Sequence, residues 1–228
     1  MAKAGKRPTR KRKTLTRERV LEAAVELADR DGLESLSMRN LGGELGVEAM
    51  SLYNHIANKD DLLDGIVDMV TAEFEDPRSA RGDDWRAVIR GCAITQHDVL
   101  LRHPWAAALA ESRAVTGPVR LRYYDALLGV LREAGLSLLG AYRANLTIDS
   151  YVYGFTLQEV SWVDWPPESA DREWELAEAF VERTDEAEFP NLVSIAQLSA
   201  TGKIDIRADF EIGLEAVLDG LKRIREAS

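Results

Sequence analysis

Residues 37–56 hold side chains whose types suit contact with a DNA duplex. Ala49 and Met50 offer apolar surface to thymine methyls, Ser51 bonds to either kind of base, and Asn54 carries the donor and acceptor that match adenine. Tyr53, His55 and, just downstream, Lys59 are donors for phosphate oxygens. Ser37, Met38 and Arg39 open a preceding helix, whose first N–H groups lack intrahelical partners and suit another phosphate. Upstream, the basic run containing Arg10, Lys11, Arg12 and Lys13 suits a polyanion through counterion release. Two plainer readings stay open on spacing alone: a three-helix packing unit with solvated polar residues, and a solubilising tail.

Such side chains need elements to hold them. A first helix is expected at about 15–30, capped by Thr14 or Thr16, with Val20, Ala24, Leu27 and Ala28 as its apolar stripe and Asp31-Gly32 as its end. Ser37 caps a second short helix, and a third begins near Glu48. Leu41, Leu45, Val47, Leu52 and Ile56 pack this pair on the first helix, and Gly46 supplies the tight turn between them. Asn58 with Asp61 three residues on is a variant capping box for a fourth helix reaching about Glu75, before Pro77.

The remainder reads as helix upon helix, without sustained alternation of the strand kind. Helices are expected at about 84–101, in a short turn after Pro104, from Gly117-Pro118 through Ala134, and at 137–163. An acidic helical stretch at 168–188, a short helix from Pro190 to Gly202 and a last helix at about 206–225 follow. The fold class is therefore all-α: residues 1–13 a disordered basic arm, 14–75 a three-helix helix-turn-helix domain with a connecting helix, and 76–228 a larger helical body.

Charge sharpens this. Residues 1–19 hold nine of the 29 Lys/Arg and one of the 39 Asp/Glu, which leaves 20 basic against 38 acidic groups, net -18, in the rest. A polyanion is repelled by most of the chain and drawn to one end. No apolar run approaches the ~20 residues that cross a bilayer, and no apolar stretch follows the basic start, so neither a membrane span nor a secretory signal is expected. Cys92 is the only cysteine, which fits a reducing cytoplasm and excludes a CxxC zinc site. His97 and His103 lie six apart, off the i, i+4 spacing of helical zinc sites, so neither metal nor cofactor is expected. Cys92 and His97 diverge at i, i+5, and P-loop, GxGxxG and GxSxG motifs are missing, so an enzyme is not expected.

Two faces of the body stand out. Phe210, Leu214, Val217, Leu221 and Ile224 recur at four, three, four and three, the a/d spacing of a helix–helix seam, internal or between copies. Tyr151, Phe155, Gln158 and Trp162 recur along the 137–163 helix. Large aromatics around a polar group suit an apolar ligand pocket, which Gln96, His97, Trp105 and Tyr123 can line from neighbouring helices; the same stripe also suits plain core.

The run Leu52-Tyr53-Asn54-His55-Ile56, followed by Asn58-Lys59-Asp60-Asp61-Leu62-Leu63, resembles the tetracycline-repressor (TetR) family over residues 15–65. A looser likeness to that repressor's own subgroup follows in His103-Pro104, Gly117-Pro118, Ala134-Gly135-Leu136-Ser137, Tyr151-Val152-Tyr153-Gly154 and Asp209–Leu214. The resemblance implies a homodimeric, cytoplasmic repressor that binds a near-palindromic operator and is released by a small apolar effector. It also implies that the last helix and the 137–163 helix pair across a two-fold axis. An activator on the same fold, or an architectural DNA-coating protein without effector, are the alternatives. The subgroup that holds a magnesium–drug chelate uses histidines, where this chain has Glu75, Cys92, Gln96 and Ala110. The resemblance therefore carries over neither drug nor metal.

Overall fold

The computed structural model describes residues 14–79, 84–113, 117–161 and 170–226, with the side chains of 170–176 and 224–226 left aside. Among the described residues there are α-helices and one 3-10 turn and no strand: α1 (Arg17–Asp31), α2 (Met38–Leu45), α3 (Ala49–Leu52), α4 (Lys59–Thr71), α5 (Trp85–Arg102), α6 (Pro104–Ser112), α7 (Pro118–Glu133), α8 (Leu138–Ser161), α9 (Ala170–Arg183), α10 (Pro190–Ser199) and α11 (Ile206–Glu226). The chain divides into two compact units, Met1–Ile66 and Val67–Ser228, the division falling inside α4.

Caps written in the sequence set most helix starts. Thr16 Oγ1 accepts from the Arg19 amide, Ser37 Oγ from Asn40, Asn58 Oδ1 from Asp61, Asp84 Oδ1 from Arg86, and Ser137 Oγ from Gly140. Pro104, Pro118 and Pro190 stand at helix starts, where a missing N–H costs nothing.

In the first unit Val20, Ala24, Leu41, Leu52 and Ile56 are fully buried, while Leu45 and Val47 are half-buried. Gly46 closes α2 in the left-handed region at φ 65°, where a side chain is strained. A Cβ on Gly42 would meet the Val47 carbonyl oxygen at 2.9 Å, so a bare α-carbon is what lets the start of α3 sit on α2.

The second unit is organised around α8, against which α5, α6, α7 and α11 all pack. Ala141, Ala144, Ile148 and Val152 form its inner face. The hairpin of α9 and α10 packs mainly on itself; Ala177 and Val193 are buried, and Phe180, Leu192, Ile195 and Leu198 are exposed.

Two expectations are corrected here. The helix expected to reach Glu75 ends at Thr71. Beyond it the Glu73 and Phe74 amides donate to carbonyls only three residues back, and this tightening turns Phe74 inward, its ring 5.3 Å from that of Tyr123. The second correction is the seam on α11: Phe210, Leu214 and Leu221 are buried within their own chain, together with Leu218, and Val217 is half-buried. The buried members close the body's core against α5 and α8. The side chain of Ile224 lies outside the described residues.

Candidate functional site

α3 is one turn long, and its residues divide by face. Leu52 points into the core with no exposure, while Met50 is 73% and Tyr53 47% exposed. Tyr53, Asn54 and His55 lie in the turn after Leu52. Asn54 and Lys59 are exposed; Ala49, Ser51 and His55 are half-buried. In α2, Arg39 is exposed, Met38 is half-buried, and the Ser37 hydroxyl is engaged as the helix cap. Arg10, Lys11, Arg12 and Lys13 lie outside the described residues.

A tie that residue spacing does not reveal holds this surface. Arg17 on α1 donates to both carboxylate oxygens of Asp61, at 2.9 and 2.6 Å, and to the His55 carbonyl at 3.1 Å. Asp61 also accepts the Ala57 amide at 2.7 Å. The guanidinium holds the Asp61 carboxyl below the usual carboxylate range. One ion pair thus locks the turn after α3 to the helix beneath it. The only sequence trace was the acid three residues after Asn58.

In the body, three of the expected pocket residues, His97, Tyr151 and Phe155, gather on the Phe210 ring. Tyr151 donates to the Phe210 carbonyl at 2.8 Å, and Phe155 packs edge-on to the Phe210 ring, centroids 5.3 Å apart. His97, with no exposure, stacks on Phe210 at 3.8 Å, and its Nε2 lies 2.8 Å from a Glu159 oxygen. Burial pushes the His97 pKa down. These four rings come together between α5, α8 and α11. Gln158 is exposed, and Trp162 lies outside the described residues. Trp105 packs edge-on to His103. Gln96 and Tyr123 are buried, and the Gln96 Nε2 and the Tyr123 hydroxyl have no hydrogen-bond partner among the described residues. Nearby, burial pushes the Cys92 thiol up to about 12, which makes it a poor nucleophile.

An open cleft of about 330 Å³ lies elsewhere, between α6, α7 and α8. Arg120, Tyr124, Asn145, Asp149 and Tyr153 line it, with Glu111 and Arg113 also on its walls, and residue spacing flagged none of them. Arg120 is buried; it donates to the Ala110 carbonyl at 2.7 Å and to Glu111 at 3.1 Å, while its Nε has no partner among the described residues. Asp149 accepts from Asn145 at 3.0 Å through one oxygen; the other has no partner among the described residues. Burial, with Glu111 nearby, pushes the Asp149 carboxyl up to about 7.

Beside this cleft, Asp68 on α4 accepts the amides of Val119 and Arg120, both at 3.1 Å. It caps α7 from outside, since Gly117 brings no capping side chain. Among the described residues no cluster of three or more His, Cys, Asp or Glu could hold a metal ion, and no helix is long and apolar enough to cross a membrane.

Comparison with known proteins matches residues 20–66 to the family described as bacterial regulatory proteins, tetR family, and residues 77–225 to the tetracyclin repressor-like C-terminal domain. The chain is 34% identical to the HTH-type transcriptional repressor DrrR1 of Streptomyces coeruleorubidus, over 96% of this chain and 82% of that one. It is 30% identical to the class C tetracycline repressor protein of Escherichia coli, over 92% of each. Among solved structures, apo ActR from Streptomyces coelicolor superposes with a TM-score of 0.75 at 29% identity, over 94% of this chain and 98% of that one. ActR is also known in complex with actinorhodin.

Proposed function

The chain belongs to the TetR family of DNA-binding transcription regulators, and from that premise we propose that it is a homodimeric repressor, released from a near-palindromic operator by a small effector. Residues 14–75 serve as the DNA-binding part and the helices beyond as the effector-binding and dimerising part. The observation that carries the reading is the division of α3 and the turn after it, with Met50 and Tyr53 presented outward over a fully buried Leu52 and Ile56. Both side chains are thereby open to a duplex. Met50, Ala49, Ser51 and Asn54 meet base edges; Tyr53, His55, Lys59 and Arg39 hold phosphates; Arg10 to Lys13 follow the backbone.

The dimer face differs from the a/d seam. On α11, Ile212, Ala216 and Gly220 are exposed at i, i+4, i+8, and on α8 Leu138, Leu139, Tyr142 and Leu146 are exposed. Small and apolar residues on two helices suit the close approach of a second copy. Two-fold pairing sets the recognition segments roughly 34 Å apart, one turn of DNA.

An effector in the body favours the conformer that does not fit the operator, and shifts the population by its difference in affinity for the two. That ActR has been solved with bound actinorhodin supports an effector site in this body. α4 carries anchors at both of its ends: Asp61 holds Arg17, and Asp68 caps α7. A Cβ on Gly117 would overlap the Asp68 carboxylate. Gly117→Ala therefore pushes the carboxylate off the helix start, at a cost of about 1 kcal/mol in stability. The expected result is operator binding like the parent's with a blunted response to effector; full effector release from the variant would remove Asp68 from the route.

Selection of bound sequences from random DNA tests the whole reading. Inverted half-sites about one turn apart are expected. Binding without sequence preference would point instead to the architectural alternative.

A further inference from the structure

We propose that the α6–α7–α8 cleft recognises the polar end of the effector, and that it takes an aromatic ligand carrying a protonated amine, with Asp149 as the residue that holds the amine. The inference rests on the effector-release reading and adds the ligand's chemistry to it.

The argument is one of unmatched groups. A cleft of about 330 Å³ holds a fused aromatic system of two to four rings. Its buried cation is already engaged, since Arg120 donates to the Ala110 carbonyl and to Glu111. Its acid is held only in part: one Asp149 oxygen accepts from Asn145, the Tyr124 hydroxyl stands near the carboxyl as a further donor, and the other oxygen has no partner at hydrogen-bond distance among the described residues. A buried acceptor left open costs free energy that an N–H donor recovers, and a cationic donor recovers most. Tyr124 and Tyr153 line the same cleft with aromatic surface, and the Tyr124 ring already carries the Arg120 guanidinium, 5.4 Å from its centroid. The unpartnered Nε of Arg120 asks for an oxygen acceptor elsewhere on the same ligand.

The charged and titratable groups around Asp149 are Glu111 and Arg113 on the α6 side, Arg120 and Tyr124 on α7, and Tyr153 on its own helix. The phenols stay neutral, since burial pushes the Tyr124 and Tyr153 pKa values up. Asp149 alone titrates near neutral pH among those with shifted values. Its carboxyl, raised to about 7, is mostly protonated at pH 6 and mostly ionised at pH 8.

Fluorescence titration with 9-aminomethylanthracene and its neutral counterpart 9-anthracenemethanol tests the proposal on the full-length protein. The amine should bind the parent about tenfold more tightly than the alcohol at pH 8. Its affinity should rise roughly tenfold from pH 6 to pH 8 as Asp149 ionises, while the alkylamine stays protonated. In Asp149→Asn both the preference and the pH dependence should vanish, with the alcohol's affinity unchanged.

A folding control comes from the same shift. Asp149 has a folded pKa above its unfolded value, so its contribution to stability is present below about pH 4 and lost as pH rises to about 7. The asparagine variant should accordingly melt at or above the parent at pH 8. Equal binding of the two probes to the parent, failure of both to bind, or a preference that survives in Asp149→Asn would overturn the proposal. Gel shifts on the same samples keep the two readings apart. Operator release by the alcohol without amine preference sinks the amine alone. Tight amine binding without release at saturation upholds the site and sinks the release mechanism.

Discussion

Replacing Tyr53 and Lys59 together by alanine should lower operator affinity at least a hundredfold and leave the fold intact. A hydrogen bond to a charged group is worth about 1.5–3 kcal/mol, so losing two to phosphate removes about 3 kcal/mol or more, a factor of 100 upward. Both side chains are exposed, Tyr53 in the turn after α3 and Lys59 at the first residue of α4. Neither contributes to the buried set of Leu41, Leu52 and Ile56, so melting should change by less than about 0.5 kcal/mol. The two losses differ in kind. Lys59 neutralises a phosphate, so its removal should flatten the slope of log affinity against log salt by about one; Tyr53 alone should leave that slope as it is. Fluorescence anisotropy over a salt series separates them, and parental affinity in the double variant would end the docking assignment.

The turn between Leu52 and Lys59 was half legible in the sequence, and the reason is distance along the chain. Caps act over three residues. Ser37 with Asn40 and Asn58 with Asp61 therefore announce themselves in a line of text, and the structure has both bonds. The ion pair of Arg17 with Asp61 spans 44 residues, and no local pattern marks it. The same division holds in the body. Helices and their breaks at Gly135 and Pro190 follow from local chemistry, but the direction in which a helix faces depends on its neighbours. α11 is the clearest case: its heptad spacing of Phe210, Leu214 and Leu221 states that a stripe is buried and is silent on what buries it. The cleft was invisible for a further reason. Arg120 and Asp149 come from different helices, and on each helix alone they read as ordinary solvated charges.

Phe210→Ala is the variant for which the two possible roles of α11 part most sharply. Phe210 has no exposure and is the meeting point of three rings: His97 stacked at 3.8 Å, Tyr151 at 5.5 Å and Phe155 at 5.3 Å. Truncating a buried phenylalanine costs about 3–5 kcal/mol, transfer and cavity terms together. For a unit of this size each kcal/mol moves the melting temperature by about 2–4 °C, so the body should melt roughly 10 °C lower. The opened space also removes the cover that keeps water from His97, whose pKa should return toward its ordinary value, a change that NMR of the imidazole follows directly. A role at a dimer face predicts something else: a protein that dissociates while each body melts as before. Ile212→Arg should give that second result, because Ile212 is 67% exposed and lies on the outer face of α11. Sedimentation at micromolar concentration, read beside the melting curves, compares the two variants. If Phe210→Ala dissociated with its melting unchanged and Ile212→Arg stayed paired, the faces of α11 would have been assigned the wrong way round.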